Sequence, residues 1–483
     1  MRLIDMAKGC DPLIETLGVH GDMDIAGLTS DSRAVHPGYL FAALPGVNVD
    51  GRDYISQAQQ NGAVCVLGPI GTQSDVPVIE DANPRLRFAK MAANYYGAQP
   101  ENIAAITGTN GKTSVATFLR QIWECLEYTA ANVGTIGVFG AGFEEPGTLT
   151  TPDPVTLHAT MKRLVDAGVD HLAMEASSHG LEQFRLDGLR IKAAGFTNIS
   201  RDHLDYHGTM EAYLAAKLRL FSEVVEDGGS VVINADSPHA KDVIQAAQER
   251  NLKVISYGES GDTICLKKRN LQGHAQALTV SISGTTYTVL LPLAGAFQVE
   301  NALCALGLAL ALGADEGRAV KALESLHGVT GRMQCVGHVN GADVYIDYAH
   351  TPDALENVLK ALRPHTQNKL HVMFGCGGDR DVGKRPEMGQ AATTFADVVI
   401  VTDDNPRSED AAKIRQQILA AAPGAQEIGD RHQAIQHSVK NLGVGDILVM
   451  TGKGHEQGQT VKGEVLPFDD VMEAKAAIRE LGT

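Results

Sequence analysis

The sequence predicts an α/β protein of three domains: a small mixed α/β domain at the N-terminus, a central parallel sheet with helices on both faces, and a doubly wound domain at the C-terminus. Three observations lead there. The chain has 483 residues, and at about 150 residues per domain that length suggests roughly three. Short apolar runs alternate with amphipathic stretches, the pattern of strands covered on both faces. Two breaks interrupt it, Gly97-Ala-Gln-Pro100 and the polar stretch His327 to Gln334. They set the domains at 1–99, 100–328 and 329–483.

In the first domain, apolar runs at Ala63 to Leu67 and Val76 to Ile79 lie among turn clusters such as Leu44-Pro-Gly and Asp50-Gly. From Asn102 strand and helix signals alternate. Ile103 to Thr107 reads as a buried strand and Thr113 to Leu126 as an amphipathic helix. His171 to Met174, Ala193 to Thr197 and Ser230 to Asn234 continue the sheet, and Leu278 to Leu291 folds back around Ser283-Gly284 as an antiparallel hairpin. A helical pair, Gln298 to Leu312 and Glu316 to Leu326, closes the region. The last domain repeats the rhythm, with strands at Val344 to Asp347, Leu370 to Phe374, Val398 to Thr402 and Ile447 to Met450. Its helices are expected over Pro352 to Leu362 and Ala411 to Ala421.

Apolar residues make up 44% of the chain and the formal net charge is −17. Such a chain has no cationic surplus with which to neutralise a nucleic-acid backbone or an anionic bilayer, so neither is an expected partner. Small phosphate ligands need only a few local cations and amides. Seven scattered cysteines without a CxxC pair support neither a disulfide framework nor a thiolate zinc site. Met1 to Pro12 carries four charged residues and lacks the apolar core of a signal peptide, and Leu303 to Leu312 is too short to span a bilayer. A soluble protein of a reducing compartment, the cytoplasm, is expected.

Gly108-Thr-Asn-Gly-Lys-Thr-Ser114 follows the first central strand and opens a helix. Glycines allow close backbone approach there, and helix-end amides can cradle phosphates. Lys112 is placed to reach the terminal phosphates and the Thr113 hydroxyl to face Mg²⁺, a P-loop-type arrangement. The common spacing fails, since Ile106 stands where its first glycine belongs. Glu175 ends a buried strand at the edge where open α/β sheets bind ligands, and its carboxylate can hold Mg²⁺ opposite Thr113. Phe196 to His207 is dense in metal-capable side chains, for which zinc and harder ions are both open. Lys217 lies on a helix among apolar residues, where its own pattern reads as a surface lysine snorkelling outward.

Taken in order, these motifs resemble the Mur ligase family of ATP-dependent amide-bond-forming enzymes of bacterial cell-wall (peptidoglycan) synthesis. The likeness covers essentially the whole chain: Gly108 to Ser114, Thr150-Thr-Pro-Asp-Pro154, Glu175 to Leu181, Asn198 to His207, Lys217, Asn301, Gly331-Arg332, Asp347-Tyr-Ala-His350, Gly375 to Arg385, Asp404-Asn-Pro-Arg407 and Thr451 to Glu456. Within the family it is most similar to members that add the third peptide residue to UDP-N-acetylmuramoyl-L-alanyl-D-glutamate. Members that add meso-diaminopimelate carry Asp-Asn-Pro-Arg, whereas lysine-adding ones differ at its last position. The chemistry agrees, because a guanidinium grips a second carboxylate bidentately.

The resemblance implies a Rossmann-like third domain and roles for individual residues. Gly108, Thr109, Asn110, Gly111, Lys112, Thr113 and Ser114 would hold ATP phosphates, with Asn301, Arg332 and Asp347 on the nucleotide from the far side. Thr113 and Glu175 would take one Mg²⁺, and His203 with a carbamylated Lys217 (N6-carboxylysine) a second. Lys112, Glu175, His203 and Lys217 would be catalytic. Ser30, Ser32, Asn48, Thr150, Thr151, Ser177, Gln183 and Arg185 would bind the UDP-N-acetylmuramoyl dipeptide. Arg380, Asp404, Asn405, Pro406, Arg407, Gly452 and Glu456 would bind meso-diaminopimelate. A monomer whose third domain closes over the second during turnover is implied. The alternatives are a lysine-adding relative, a folylpolyglutamate synthetase-like ligase, and a P-loop switch or motor that makes no bond.

Overall fold

The computed structural model describes residues 1–9, 20–46, 49–147, 149–273 and 275–481, with the backbone alone at 205. They form a three-domain α/β architecture grouped in two compact units. One comprises Met1–Leu266, Ser281–Thr285 and Ala302–Ala322; the other comprises Lys267–Val280, Thr286–Asn301 and Leu323–Thr483. No helix among the described residues is long and apolar enough to cross a membrane.

The first unit begins with a parallel sheet in the order β1 (Gly27–Thr29), β2 (Tyr39–Ala42), β3 (Ala63–Pro69) and β4 (Val78–Asp81). The helix Pro84–Tyr96 covers it, burying Phe88, Met91 and Ala92 against Leu40, Cys65 and Leu67. Its ends follow from sequence. Asn83 accepts from Leu86 N (3.1 Å), Pro84 occupies the first turn, and Gly97 leaves the helix at φ +68°.

The second sheet holds β5 (Asn102–Thr107), β6 (Ala130–Gly134), β7 (Gly137–Gly140), β8 (Phe143–Pro146), β9 (His171–Glu175), β10 (Ile191–Phe196), β11 (Val225–Asn234) and β12 (Lys253–Gly258). Its order from one edge is β8-β7-β6-β9-β5-β10-β11-β12. β5 lies centrally, parallel to β9 and β10, and all three are apolar because both faces are covered. The sequence pattern predicts a parallel sheet with one antiparallel hairpin attached; the β6–β7–β8 edge adds a second antiparallel part that it does not predict. Only Thr135 and Ile136 separate β6 from β7, too short a link for a parallel crossover. β13 (Ile264–Gln272) joins β12 through Ile264 and Cys265.

β14 (Ala275–Ile282) and β15 (Thr285–Leu291), most of whose residues belong to the second unit, form the expected hairpin. Its turn residues Ser283 and Gly284 both have positive φ (+47° and +95°), as a two-residue hairpin requires. The main sheet follows with β16 (Gln334–Val339), β17 (Ala342–Asp347), β18 (Leu370–Phe374), β19 (Val398–Val401), β20 (Gln426–Glu427) and β21 (Ile447–Thr451), in the order β16-β17-β21-β18-β19-β20. Only β16 runs antiparallel. The helices Pro352–Leu362, Lys384–Phe395 and Ala411–Leu419 pack on one face and Arg431–Lys440 and Asp470–Leu481 on the other, so the sheet is doubly wound. A short ribbon, β22 (Gly458–Val461) and β23 (Glu464–Pro467), lies beyond the C-terminal end of β21.

Candidate active site

In the first unit the site is built at the C-terminal ends of β5, β9 and β10, where the crevice of an open α/β sheet lies. Gly111 (φ +87°) precedes the helix Lys112–Cys125, and Thr113 and Ser114 are buried in its first turn. The loop is pinned by the segment after β10. Thr109 N donates to Asn198 O (2.9 Å), Asn110 N to Asn198 Oδ1 (3.0 Å), and Thr197 Oγ1 to Asn110 O (2.6 Å). A Cβ at Gly108 would stand 1.9 Å from Thr197 Oγ1, so only glycine permits this approach.

Two ammonium groups meet at one carbonyl. Lys112 Nζ donates to Gly108 O and Thr109 O, both at 2.8 Å, and Lys217 Nζ donates to Gly108 O at 2.8 Å. The surface reading of Lys217 is therefore corrected: the side chain is buried at 1% exposure. The cause is tertiary. The helix Met210–Arg219, capped by Thr209, turns Lys217 toward the loop, and the Tyr213 ring centroid lies 4.4 Å from Nζ. A π-helical turn, Leu220–Val224, follows. Burial, and then the Lys112 charge, push the Lys217 ammonium well below its ordinary range, while Asp202 pulls the other way. Tyr213 bonds Thr109 Oγ1 (3.1 Å), and its hydroxyl is pushed up to about 12 by burial.

Glu175, also at 1% exposure, accepts from Thr135 N on Oε1 (2.8 Å) and from Thr135 Oγ1 on Oε2 (3.1 Å). Thr135 bonds Thr150 Oγ1 (2.9 Å), and Thr151 Oγ1 donates to Glu175 O (2.9 Å) and accepts from Ser177 N (3.0 Å). Thr150, Thr151, Glu175 and Ser177 thus form one bonded group. Thr135 completes it, a residue that nothing in its own sequence neighbourhood singles out. His203, at φ +51°, carries a half-exposed ring set edge-on to His179 (centroids 4.9 Å) and 6.2 Å from Tyr213. Among the described residues no cluster of three or more His, Cys, Asp or Glu has the geometry of a metal cage.

Beside this group lies a cavity of about 220 Å³ lined by Ser30, Arg85, Phe88, Asp153, Gln183 and Arg185, among others. Arg185 donates to Thr151 O (2.6 Å) and Gln183 Oε1 (2.7 Å), and its burial lowers the guanidinium's affinity for its proton. Phe184, held at φ +57°, sets the two polar neighbours on the cavity. Ser32 is buried and donates to Gln57 Oε1 (2.7 Å), outside the cavity lining. Asn48 falls outside the described residues.

The second unit carries its candidate residues on the C-terminal ends of β17, β18, β19 and β21. Asp347 is buried, accepting from Met333 N and Ala349 N (2.7 Å each). Desolvation raises its carboxyl against the pull of Arg332. The Arg332 guanidinium lies 4.4 Å from the Tyr348 ring centroid, and its Nε is buried without a hydrogen-bond partner. Asn301 Nδ2 donates to Gln298 Oε1 (3.0 Å).

The loops after β18 and β19 interlock. Gly378 N donates to Asn405 O (2.9 Å), and Arg407 Nη1 donates to Gly378 O (2.8 Å). A Cβ at Gly378 would stand 2.0 Å from Pro406 O. Arg407 sits at φ +51°, its backbone N–H donating to Thr460 O in β22 (3.0 Å) and its carbonyl accepting from Lys462 N just after that strand (2.6 Å). A Cβ at Gly452 would stand 2.6 Å from Asp404 Oδ2, which keeps that position glycine. Asn405 Nδ2 donates to Glu456 Oε2 (2.8 Å), and Arg380 extends exposed from the same edge. Asp404, Asn405, Pro406, Arg407, Gly452 and Glu456 therefore come together, with a guanidinium and a carboxylate in one group of loops.

Known proteins match along the full length. The Mur ligase family catalytic domain profile matches residues 24–106, the Mur ligase middle domain 106–309, and the glutamate ligase domain 331–454. The UDP-N-acetylmuramoyl-L-alanyl-D-glutamate–2,6-diaminopimelate ligase of Agrobacterium fabrum is 51% identical, over 100% of this chain and 99% of its own. That of Mesorhizobium japonicum is 52% identical, over 99% of both. A solved structure of a ligase of the same description, 36% identical, superposes with a TM-score of 0.73 over 95% of this chain and 96% of its own.

Proposed function

The chain belongs to the Mur ligase family, and from that premise we infer that it is the ATP-dependent ligase that joins meso-diaminopimelate to UDP-N-acetylmuramoyl-L-alanyl-D-glutamate in peptidoglycan precursor synthesis. A carboxylate does not condense with an amine at neutral pH, because its oxygen is a poor leaving group. In the proposed sequence, an oxygen of the D-glutamate γ-carboxylate attacks the γ-phosphorus of ATP and ADP departs. The amine of the diamino acid then attacks the acyl phosphate carbonyl, loses a proton, and phosphate leaves.

Lys112 and the loop amides are assigned to the ATP phosphates, where fixed positive ends favour the transferring charge. Asn301, Arg332 and Asp347 are assigned to the rest of the nucleotide. Ser30, Gln183, Arg185, Thr150, Thr151 and Ser177 are assigned to the nucleotide-dipeptide, with Ser32 supporting through Gln57. Oxygen donors suit Mg²⁺, and buried Thr113 and Glu175 fit it directly. An ammonium does not, but Lys217 fits once carbamylated, and His203, whose ring faces the same Tyr213 side chain, is assigned as its co-ligand. Burial favours the uncharged amine of Lys217, which can add to carbon dioxide, lose a proton and become a carbamate whose two oxygens share one negative charge. Bound Mg²⁺, two ions on this reading, supplies charge neutralisation at the phosphates.

The choice of amine substrate rests on a single observation. The loops after β18, β19 and β21 bring Arg407 and Arg380 onto the same edge as the Glu456 carboxylate, a match for an amino acid with an ammonium and an extra carboxylate. The domains 1–99, 100–328 and 329–483 are proposed to bring one substrate each, in a cytoplasmic monomer. Phosphate release from ATP with purified nucleotide-dipeptide tests the reading. It is expected to require an amino acid and to be fast with meso-diaminopimelate and slow with L-lysine. Equal rates with the two would reject the substrate assignment, and release without any amino acid would reject the ligase.

A further inference from the structure

Lys453 stands between two left-handed glycines, Gly452 (φ +109°) and Gly454 (φ +58°), which turn its side chain inward until it is fully buried. A buried ammonium persists only where acceptors replace its water. Here they are Gly458 O (2.5 Å), Asn405 Oδ1 (3.2 Å) and Glu456 Oε2 (3.3 Å). Asn405 Oδ1 also accepts from Thr460 N (2.8 Å), while its amide nitrogen donates to the same Glu456 oxygen. Both donors therefore converge on Oε2, which fixes the position of that oxygen.

We propose that Lys453 is a positioning residue for the amino-acid substrate, a buried charge that holds Asn405 and Glu456 as a pair so that the carboxylate is set before the ammonium of the diamino acid arrives. This rests on the assignment of Glu456 above. Two effects of Lys453 oppose each other. Its charge weakens Glu456 as a partner for a second cation, whereas its hydrogen bond removes the freedom the carboxylate would otherwise lose on binding. Positioning dominates because the Lys453 end of the contact is fully buried and the Asn405 amide it shares is itself held from the Thr460 backbone, so the carboxylate oxygen is gripped from a fixed base. The direction of the change in KM therefore separates the two.

The test is steady-state kinetics of Lys453→Met in the full chain. The KM for meso-diaminopimelate is expected to rise about tenfold or more, with those for ATP and nucleotide-dipeptide within about twofold, the loss expected for a hydrogen bond to a charged group. In a Glu456→Gln background the same substitution is expected to add little, since its effect passes through that carboxylate. An unchanged or lowered KM for meso-diaminopimelate, or full additivity in the double variant, overturns the proposal. A fall in kcat and thermal midpoint with KM preserved marks a structural role only and overturns it too. Should the methionine variant not fold, Lys453→Gln, which keeps a donor without the charge, carries the same comparison. If the unaltered chain fails to turn over meso-diaminopimelate, the functional reading falls and takes this assignment with it. Normal turnover with an unmoved KM in the variant removes Lys453 alone.

Discussion

Arg407 and Lys217 are the two side chains whose chemistry is least replaceable. Arg407 has its backbone bonded on both sides to the segment Thr460–Lys462 and one guanidinium nitrogen on Gly378 O, so the fork is preorganised. A lysine there offers a point charge on a flexible stem. Arg407→Lys is expected to raise the KM for meso-diaminopimelate by about 10- to 100-fold, the worth of a bidentate carboxylate contact, with the KM for ATP unchanged. Initial-rate measurements at varied amino acid check this, and an unmoved KM removes Arg407 from the site. Lys217→Ala is expected to abolish turnover, with partial recovery in added short-chain carboxylic acids. Intact-mass measurement under carbon dioxide should find one carboxyl group on the unaltered protein and none on the variant. An unaltered protein without that mass would count against carbamylation.

At the scale of elements, the helix Pro154–Asp166 packs against Pro84–Tyr96 through a junction that contains a buried imidazole. His158, 1% exposed, has Nε2 without a hydrogen-bond partner, and a Cβ at Gly188 would fall 2.6 Å from both that nitrogen and Ala93 Cβ. Burial pushes this histidine down to about 4 from 6.5. The unfolded chain then binds a proton that the folded chain refuses, so stability falls as pH drops from about 6.5 to about 4. The loss from this one group is on the order of 3 kcal/mol, and it is flat above that window. Urea midpoints across pH should therefore diverge between the unaltered protein and His158→Leu in that interval, and parallel curves would refute the assignment. The sequence reveals these elements unevenly. β5, β9, β10, β18 and β21 are legible because two covered faces leave an unbroken apolar run. β8, Phe-Glu-Glu-Pro, and the β22–β23 ribbon, half-buried in one strand and exposed in the other, carry no such run. The phosphate loop is legible because its parts are consecutive. The burial of Lys217 is not, since the carbonyl it meets lies 109 residues earlier, and the contact of Thr135 with Glu175 spans 40.

Across the whole molecule, one physical rule operates twice. The loop proposed for the nucleotide ends β5 of one sheet, and the loops proposed for the amino acid end β18, β19 and β21 of another, each at the edge where strand ends and helix starts converge. The acid and the amine are thus assigned to separate sheets of a single chain. That division suits chemistry in two stages, because an acyl phosphate is activated before the nucleophile is required and the amine never competes for the γ-phosphorus. Holding the reactants in place replaces most of the entropy of a three-body encounter. A direct condensation, with ATP hydrolysed by water in a separate event, would instead expel the carboxylate oxygen as hydroxide. The two routes differ in where one oxygen goes. With heavy oxygen in the D-glutamate γ-carboxylate, the acyl phosphate route transfers one labelled atom to each released phosphate, read by mass spectrometry of the phosphate. The expected outcome is one label per turnover with meso-diaminopimelate, and label retained in water instead of phosphate would eliminate the intermediate while leaving the ligase assignment to stand on its amino-acid dependence.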